Sequence, residues 1–238
     1  MGRGRTRTKR RAQEHRQYGR NRVASADPYN WECSSWWERS REFPAGAELF
    51  KQGSSAREVY LIEQGLAKLI RVTEDGQEII VGLRSPGWIL GASSAILGNP
   101  YSLTAVTLTR CRTRFIYAEQ FIELARSDLE FSWYLHILAT EELHEQLAHL
   151  VGLRCLSARK RFEQLLLLMV SSIHPDLSQN DARFKLPMKQ WEIAQLIGIT
   201  PEHLCRLQRQ MEQEGLLHRE NGWLIIYDLD RLYNPEEL

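Results

Sequence analysis

Cysteine is scarce and scattered in this 238-residue chain: Cys33, Cys111, Cys155 and Cys205 form no CxxC pair and no zinc spacing. That excludes a disulfide framework and a metal finger. Long apolar runs are absent too. The longest, Leu165–Val170, is far too short to span a bilayer. The first residues contain no apolar stretch of the kind a secretory signal needs. The expectation is a soluble, cytoplasmic protein with no membrane partner. Histidine is missing from the whole of residues 41–118. That removes the ligands a cupin-type metal enzyme would hold inside a β-barrel, so no enzyme and no metal site are expected.

Net charge is nearly absent as well, at +1, but the balance is uneven along the chain. Residues 1–24 carry nine basic side chains against Glu14, a net of +8, which leaves −7 for the remainder. A basic segment so poor in apolar residues cannot bury enough surface to fold alone. It is read as a disordered tail, with a phosphate-contacting arm as the alternative.

What the chain does have comes in blocks. Residues 25–40 hold Trp31, Trp36 and Trp37, expected on a short helix whose tryptophans pack on the next part of the chain. From 41 to 118 short apolar or alternating runs recur at Val59–Ile62, Leu66–Thr73, Glu78–Leu83, Leu103–Thr109 and Arg112–Tyr117, with Gly and Pro turns between them. This texture predicts an all-β roll, barrel or sandwich, a domain placed at 25–130. A returning helix is expected over 119–130 and a long one over 131–156. On the latter Leu135, Ala139, Leu143, Leu147, Leu150 and Leu153 recur every 3.6 residues on average. The stripe either packs on the chain's own β-domain or forms a homodimer seam, and the seam is the preferred reading.

The remaining domain, 157–238, opens with a helix over 157–172 and a polar loop over 173–185. Two short helices then break at Gly198, with Ile193, Leu196 and Ile197 on the apolar face of one and Leu204, Leu207 and Met211 on that of the other. Thr200 is a good N-cap and Pro201 fits the first helical position. A hairpin is expected around Asn221-Gly222, between Leu216-Leu217-His218 and the run Trp223–Tyr227. This is a winged helix-turn-helix, whose second helix would enter a DNA major groove. The fold class is α+β: β-roll or jelly-roll, long dimerisation helix, winged helix-turn-helix.

That order, carried by FPAGAELFKQG, VYLIEQGLAKLIRV, EDGQEIIVGLRSPGWILG, Ser157-Ala158 with Arg161, and LPMKQWEIAQLIGITPEHLCRL, resembles the Crp/Fnr family of bacterial transcription regulators over about residues 40–234. The resemblance implies that Glu202 and Arg206 read base edges. The chemistry is apt, since residues four apart share a helical face, Arg bonds guanine O6 and N7, and Glu accepts from cytosine N4. Thr200, His203, Gln208, Lys189 and Arg209 are candidates for phosphate or flanking-base contacts. Cys205 beside Arg206 is a candidate for redox sensitivity, with a small filler as the commoner role. Pro201 stands where some relatives carry a basic side chain.

The family's effector cassette is where the likeness fails. Gly91, Ala92, Ser93, Ser102, Leu103 and Thr104 occupy the pocket positions. Ala92 replaces the Glu that bonds a ribose hydroxyl, and Ser102 or Leu103 the Arg that pairs with a cyclic phosphate. At about 1.5–3 kcal/mol for each charged hydrogen bond, losing both weakens binding by roughly two to four decades. Cyclic AMP is therefore not expected, Gln146 and Leu147 offer no small hydroxyls to close over it, and no cofactor is assigned. Cys33 alone cannot hold an N-terminal cluster, and His136, His144 and His149 are scattered along the long helix. Partners implied by the resemblance are double-stranded DNA, a second copy of the chain, and RNA polymerase, the last through exposed loops such as 173–183. An effector-independent form, or a protein-binding scaffold that has lost DNA binding, is the alternative.

Overall fold

The computed structural model describes residues 36–37, 39–173 and 181–232. Eight strands come first: β1 Arg39–Phe43, β2 Glu48–Phe50, β3 Glu58–Gln64, β4 Ala67–Val72, β5 Glu78–Arg84, β6 Ile89–Leu90, β7 Thr104–Thr107 and β8 Cys111–Tyr117. They form two antiparallel sheets, ordered β1-β8-β3-β6 and β2-β7-β4-β5. Tyr60, Ile62, Leu90 and Phe115 of the first meet Leu49, Ala67, Leu69 and Ala105 of the second, with Trp88 between them.

The surroundings of β3 explain why it reads as an unbroken apolar run rather than alternating. The neighbours in sequence, Val59 and Leu61, face the other way, toward Trp37, Phe121, Phe131 and Tyr134. A strand covered on both faces has no side left for polar residues. The covering helices are α1 Ala92–Leu97, α2 Ala118–Ser127 and the long α3 Leu129–Cys155. At 27 residues α3 is about 40 Å long. Asp128 starts it, accepting from Phe131 N–H at 2.9 Å and from the Trp36 indole at 3.2 Å. Trp36 and Trp37 pack against Phe131, as expected of that cluster, whereas Trp31 and the expected short helix lie outside the described residues.

Beyond Leu156 come α4 Ala158–Ile173, β9 Ala182–Lys185, α5 Gln190–Leu196, α6 Pro201–Gln213, β10 Leu217–Glu220, β11 Trp223–Ile226 and α7 Leu229–Leu232. One expectation needs correcting: Ala182–Lys185 is a strand, not loop. Ala182 and Phe184 are buried while Arg183 and Lys185 are exposed, and β9 pairs antiparallel with β11. Within a polar stretch, four alternating residues carry too little signal to reveal a strand. Its pairing with the wing makes the sheet β10-β11-β9 three-stranded. The core of this region runs from Phe162, Leu166 and Met169 to Ile193, Leu204, Met211 and Leu224, and it also takes in Leu66, Ile80 and Leu83 of the roll.

Candidate nucleic-acid interface

The second helix of the two-helix unit, α6, is strongly two-sided. Leu204, Leu207, Gln208 and Met211 are buried at the three- and four-residue steps of one face. Glu202, Arg206, Arg209 and Gln213 are exposed on the other. Thr200 Oγ1 caps the start, accepting from His203 N–H at 3.2 Å, and Pro201 occupies the first turn. Between α5 and α6 the chain turns at Gly198, whose φ of 67° puts it in the left-handed region.

The exposed face carries defined charge. The Glu202 carboxyl is held below the ordinary carboxylate range by its own backbone N–H, by the Thr200 hydroxyl and by the Arg206 charge. It is thus ionised, as an acceptor for a base amino group must be. Arg206 lies one turn on, on the same face. His203, Arg209 and, at the entry to α5, Lys189 are also exposed. Thr200 is exposed but its hydroxyl is engaged in the cap. Cys205 is half-buried with a free thiol.

Gln208 does not belong to this set. It is fully buried, and its Oε1 accepts from Arg219 at 2.5 Å, so the expectation that it touches a duplex is corrected. The reason is register: 208 falls one turn from Leu204 and Met211, on the packed face. Arg219, which the sequence did not single out, fixes the wing to α6. Besides Gln208 it bonds Glu212 through both its backbone N–H at 3.0 Å and its guanidinium at 3.1 Å. The wing itself turns at Asn221 (φ 51°) and Gly222 (φ 80°), the two-residue hairpin the Asn-Gly pair predicts. Arg161 ties the unit to the end of α3, donating to Ile197 O at 2.7 Å and Leu156 O at 2.5 Å.

The effector-cassette positions lie together at one end of the roll but present few free polar groups. Gly91 caps α1 at φ 86°, and a Cβ there would come within 2.9 Å of Tyr101. Ala92 and Leu103 are half-buried, Ser93 and Ser102 exposed, and the buried Thr104 hydroxyl accepts from Gln52 N–H at 3.0 Å. Phe50 and Tyr101 stack nearby at 4.0 Å. A buried charge does sit in the roll, at a position not anticipated. Arg84 is 6% exposed, lies 3.9 Å above the Trp88 ring, and bonds Glu142 of α3 at 2.9 Å. A lone Arg in an otherwise apolar run was the available signal.

On α3, Leu143, Leu147, Leu150 and the neighbouring Val151 are 50–58% exposed, and Ala139 is exposed beside them. Two seam positions are partly claimed by the chain itself: Leu135 packs on the roll's helical cluster, and Leu153 leans on Gly198. Among the described residues no helix is long and apolar enough to cross a membrane. No group of three His, Cys, Asp or Glu is gathered as a metal site among them either.

Comparison with known proteins adds two matches in the same order as these elements. The cyclic nucleotide-binding domain model covers residues 40–128, and the Crp-like helix-turn-helix domain model covers 160–234. The chain belongs to the Crp/Fnr family of transcriptional regulators. Among Crp/Fnr relatives, the transcriptional activator protein FnrA of Stutzerimonas stutzeri is 26% identical over 192 residues, 80% of this chain and 78% of that protein. The structure of FixK2 from Bradyrhizobium japonicum shares the fold, with a TM-score of 0.66, 22% identity, and coverage of 82% of this chain and 94% of FixK2. A Crp/Fnr regulator of Thermus thermophilus does so at 0.65, 20% identity, and coverage of 82% and 96%. This Crp/Fnr chain is thus a transcription regulator with a helix-turn-helix DNA-binding domain, in a family of regulators rather than enzymes.

Proposed function

We propose that two copies of this regulator pair through α3 and set two α6 helices into successive major grooves of a pseudo-palindromic site. The single observation that carries the reading is the split of α6, with Leu204, Leu207 and Met211 buried and an ionised Glu202 exposed one turn from Arg206. The uncovered Leu143, Leu147, Leu150 and Val151 supply the apolar face that a second copy would bury. Half-sites would then lie about one helical turn apart. Arg206 reads guanine, Glu202 reads the partner cytosine, and Lys189, His203 and Arg209 meet phosphates or flanking bases.

Control does not run through cyclic AMP. With Ala92 and Ser102 at the cassette positions, neither the ribose nor the phosphate of a cyclic nucleotide finds a charged partner there. The roll works with another effector or with none. RNA polymerase is the further partner, the 173–183 segment offered for it lying mostly outside the described residues. Selection of bound duplexes from random sequence, with and without cell metabolites, tests all of this. A two-fold symmetric site with G·C pairs in each half supports the reading, and absence of any enriched sequence sinks it.

A further inference from the structure

The uncovered face of α3 keeps a stricter spacing than its apolar residues alone suggest. Leu143, Leu147 and Leu150 are exposed at steps of four and three. Carried toward the start of the helix, the same steps fall on Thr140, His136, Trp133 and Leu129, all exposed as well. His136, Leu143 and Leu150 thus stand seven residues apart, as do Trp133, Thr140 and Leu147. That is the a and d pattern of a two-stranded coil, with a polar layer at 136 and 140 between apolar ones. Two copies paired along it must run parallel. Each DNA-binding unit follows the C-terminal end of α3. In an antiparallel pair the units would lie beyond opposite ends of a helix about 40 Å long, too far apart for half-sites one duplex turn from each other. In a parallel pair an a position meets its own twin, so His136 faces the partner's His136.

The imidazole is already set for a ligand. His136 Nδ1 lies 2.8 Å from Ser132 O, one turn back in the helix. A carbonyl oxygen only accepts, so in the neutral ring Nδ1 carries the proton and Nε2 keeps its lone pair. The Thr140 hydroxyl is engaged with the backbone too, donating to His136 O at 2.8 Å. A ring fixed by a carbonyl at one nitrogen, with a lone pair at the other, is the arrangement of a metal-bound histidine. Resting on the pairing of two copies through α3, we propose that the two His136 side chains form a shared site for a borderline divalent metal ion such as zinc. Each copy gives one Nε2, and water completes the coordination. One chain offers a single imidazole here, and the site departs from the expectation of no metal only once two copies pair. The ion binds the pair and not the separate copies, so it tightens the dimer by mass action.

Sedimentation equilibrium of the full chain, first in chelator and then in zinc chloride, tests the site. Zinc at about ten times its own dissociation constant is expected to lower the dimer dissociation constant about tenfold. Calorimetry should find one ion per dimer. His136→Leu puts an apolar residue at an a position, so it should dimerise at least as tightly in chelator yet show no response to zinc. A polar layer that only fixes the register predicts no zinc response in the unaltered protein either, which separates the two roles. A dimer indifferent to zinc, or a zinc response that survives in His136→Leu, overturns the site and leaves the α3 seam standing. A chain that stays monomeric in both chelator and zinc overturns the seam and the site with it.

Discussion

In the proposed reading, a single guanidinium separates recognition from mere attraction to DNA. Arg206 stands exposed on α6 with nothing in its own core to hold. Replacing it with alanine should cost about 1–3 kcal/mol on the selected site and far less on random duplex. Competition binding against both duplexes measures that difference, and equal losses would rule out direct readout. Gln208 and Arg219 behave oppositely, because they are structural. Glu212, held below the usual carboxylate range mainly by its bond to Arg219, releases its proton more readily folded than unfolded. Its contribution is therefore present above the ordinary carboxylate pKa near 4.3 and is lost as pH falls through the lower folded value. Arg219→Ala should lower the melting temperature at pH 7 and narrow the stability difference from the unaltered protein as pH drops below about 4. Melts at both pH values decide whether the pair acts this way.

Elements divide by whether the chain itself completes their apolar face. For α6 the two-helix unit completes it, so the helix keeps its outer side for a ligand. For α3 the roll covers Phe131, Tyr134 and Leu135 but leaves Leu143, Leu147, Leu150 and Val151 uncovered. Leu150→Lys should thus cost little folding stability, since that side chain is 58% exposed, but should abolish self-association. Sedimentation of the variant should find a monomer with an unchanged far-ultraviolet spectrum; a dimer would remove α3 as the seam. By contrast Phe131→Ala, on the covered half of the same helix and fully buried, should destabilise the fold by about 3–5 kcal/mol. Chemical denaturation of the two variants side by side would separate the two halves of α3.

At the scale of the whole molecule, charge and symmetry act together. The body beyond residue 24 is net acidic, so long-range attraction does not hold it on DNA and the cations of the exposed faces must do so locally. Affinity should fall linearly with the logarithm of salt concentration, with a slope of about 0.9 per phosphate neutralised. Two paired copies engage twice the phosphates of one. The Leu150→Lys protein should therefore show about half the slope of the unaltered one in salt titrations, and identical slopes would argue that one copy binds alone.

Much of this was written in local pattern. The Asn221-Gly222 turn, the Thr200-Pro201 helix start and the strand runs from Val59 to Tyr117 depend on neighbours a few residues apart, whose steric and hydrogen-bonding preferences act wherever the chain lies. The order of roll, long helix and two-helix unit was legible for the same reason, whereas Glu202 and Arg206 were singled out by the family resemblance. Tertiary structure alone decided what each exposed position faces. It took Gln208 into the core, gave Leu135 to the roll, made a strand of Ala182–Lys185 by setting it beside β11, and buried Arg84 against Trp88 and Glu142. It also brought Gln195 to the edge of β5, more than a hundred residues away. Periodicity assigns a side chain to a face of its own element, but the partner on that face is chosen by packing between distant segments.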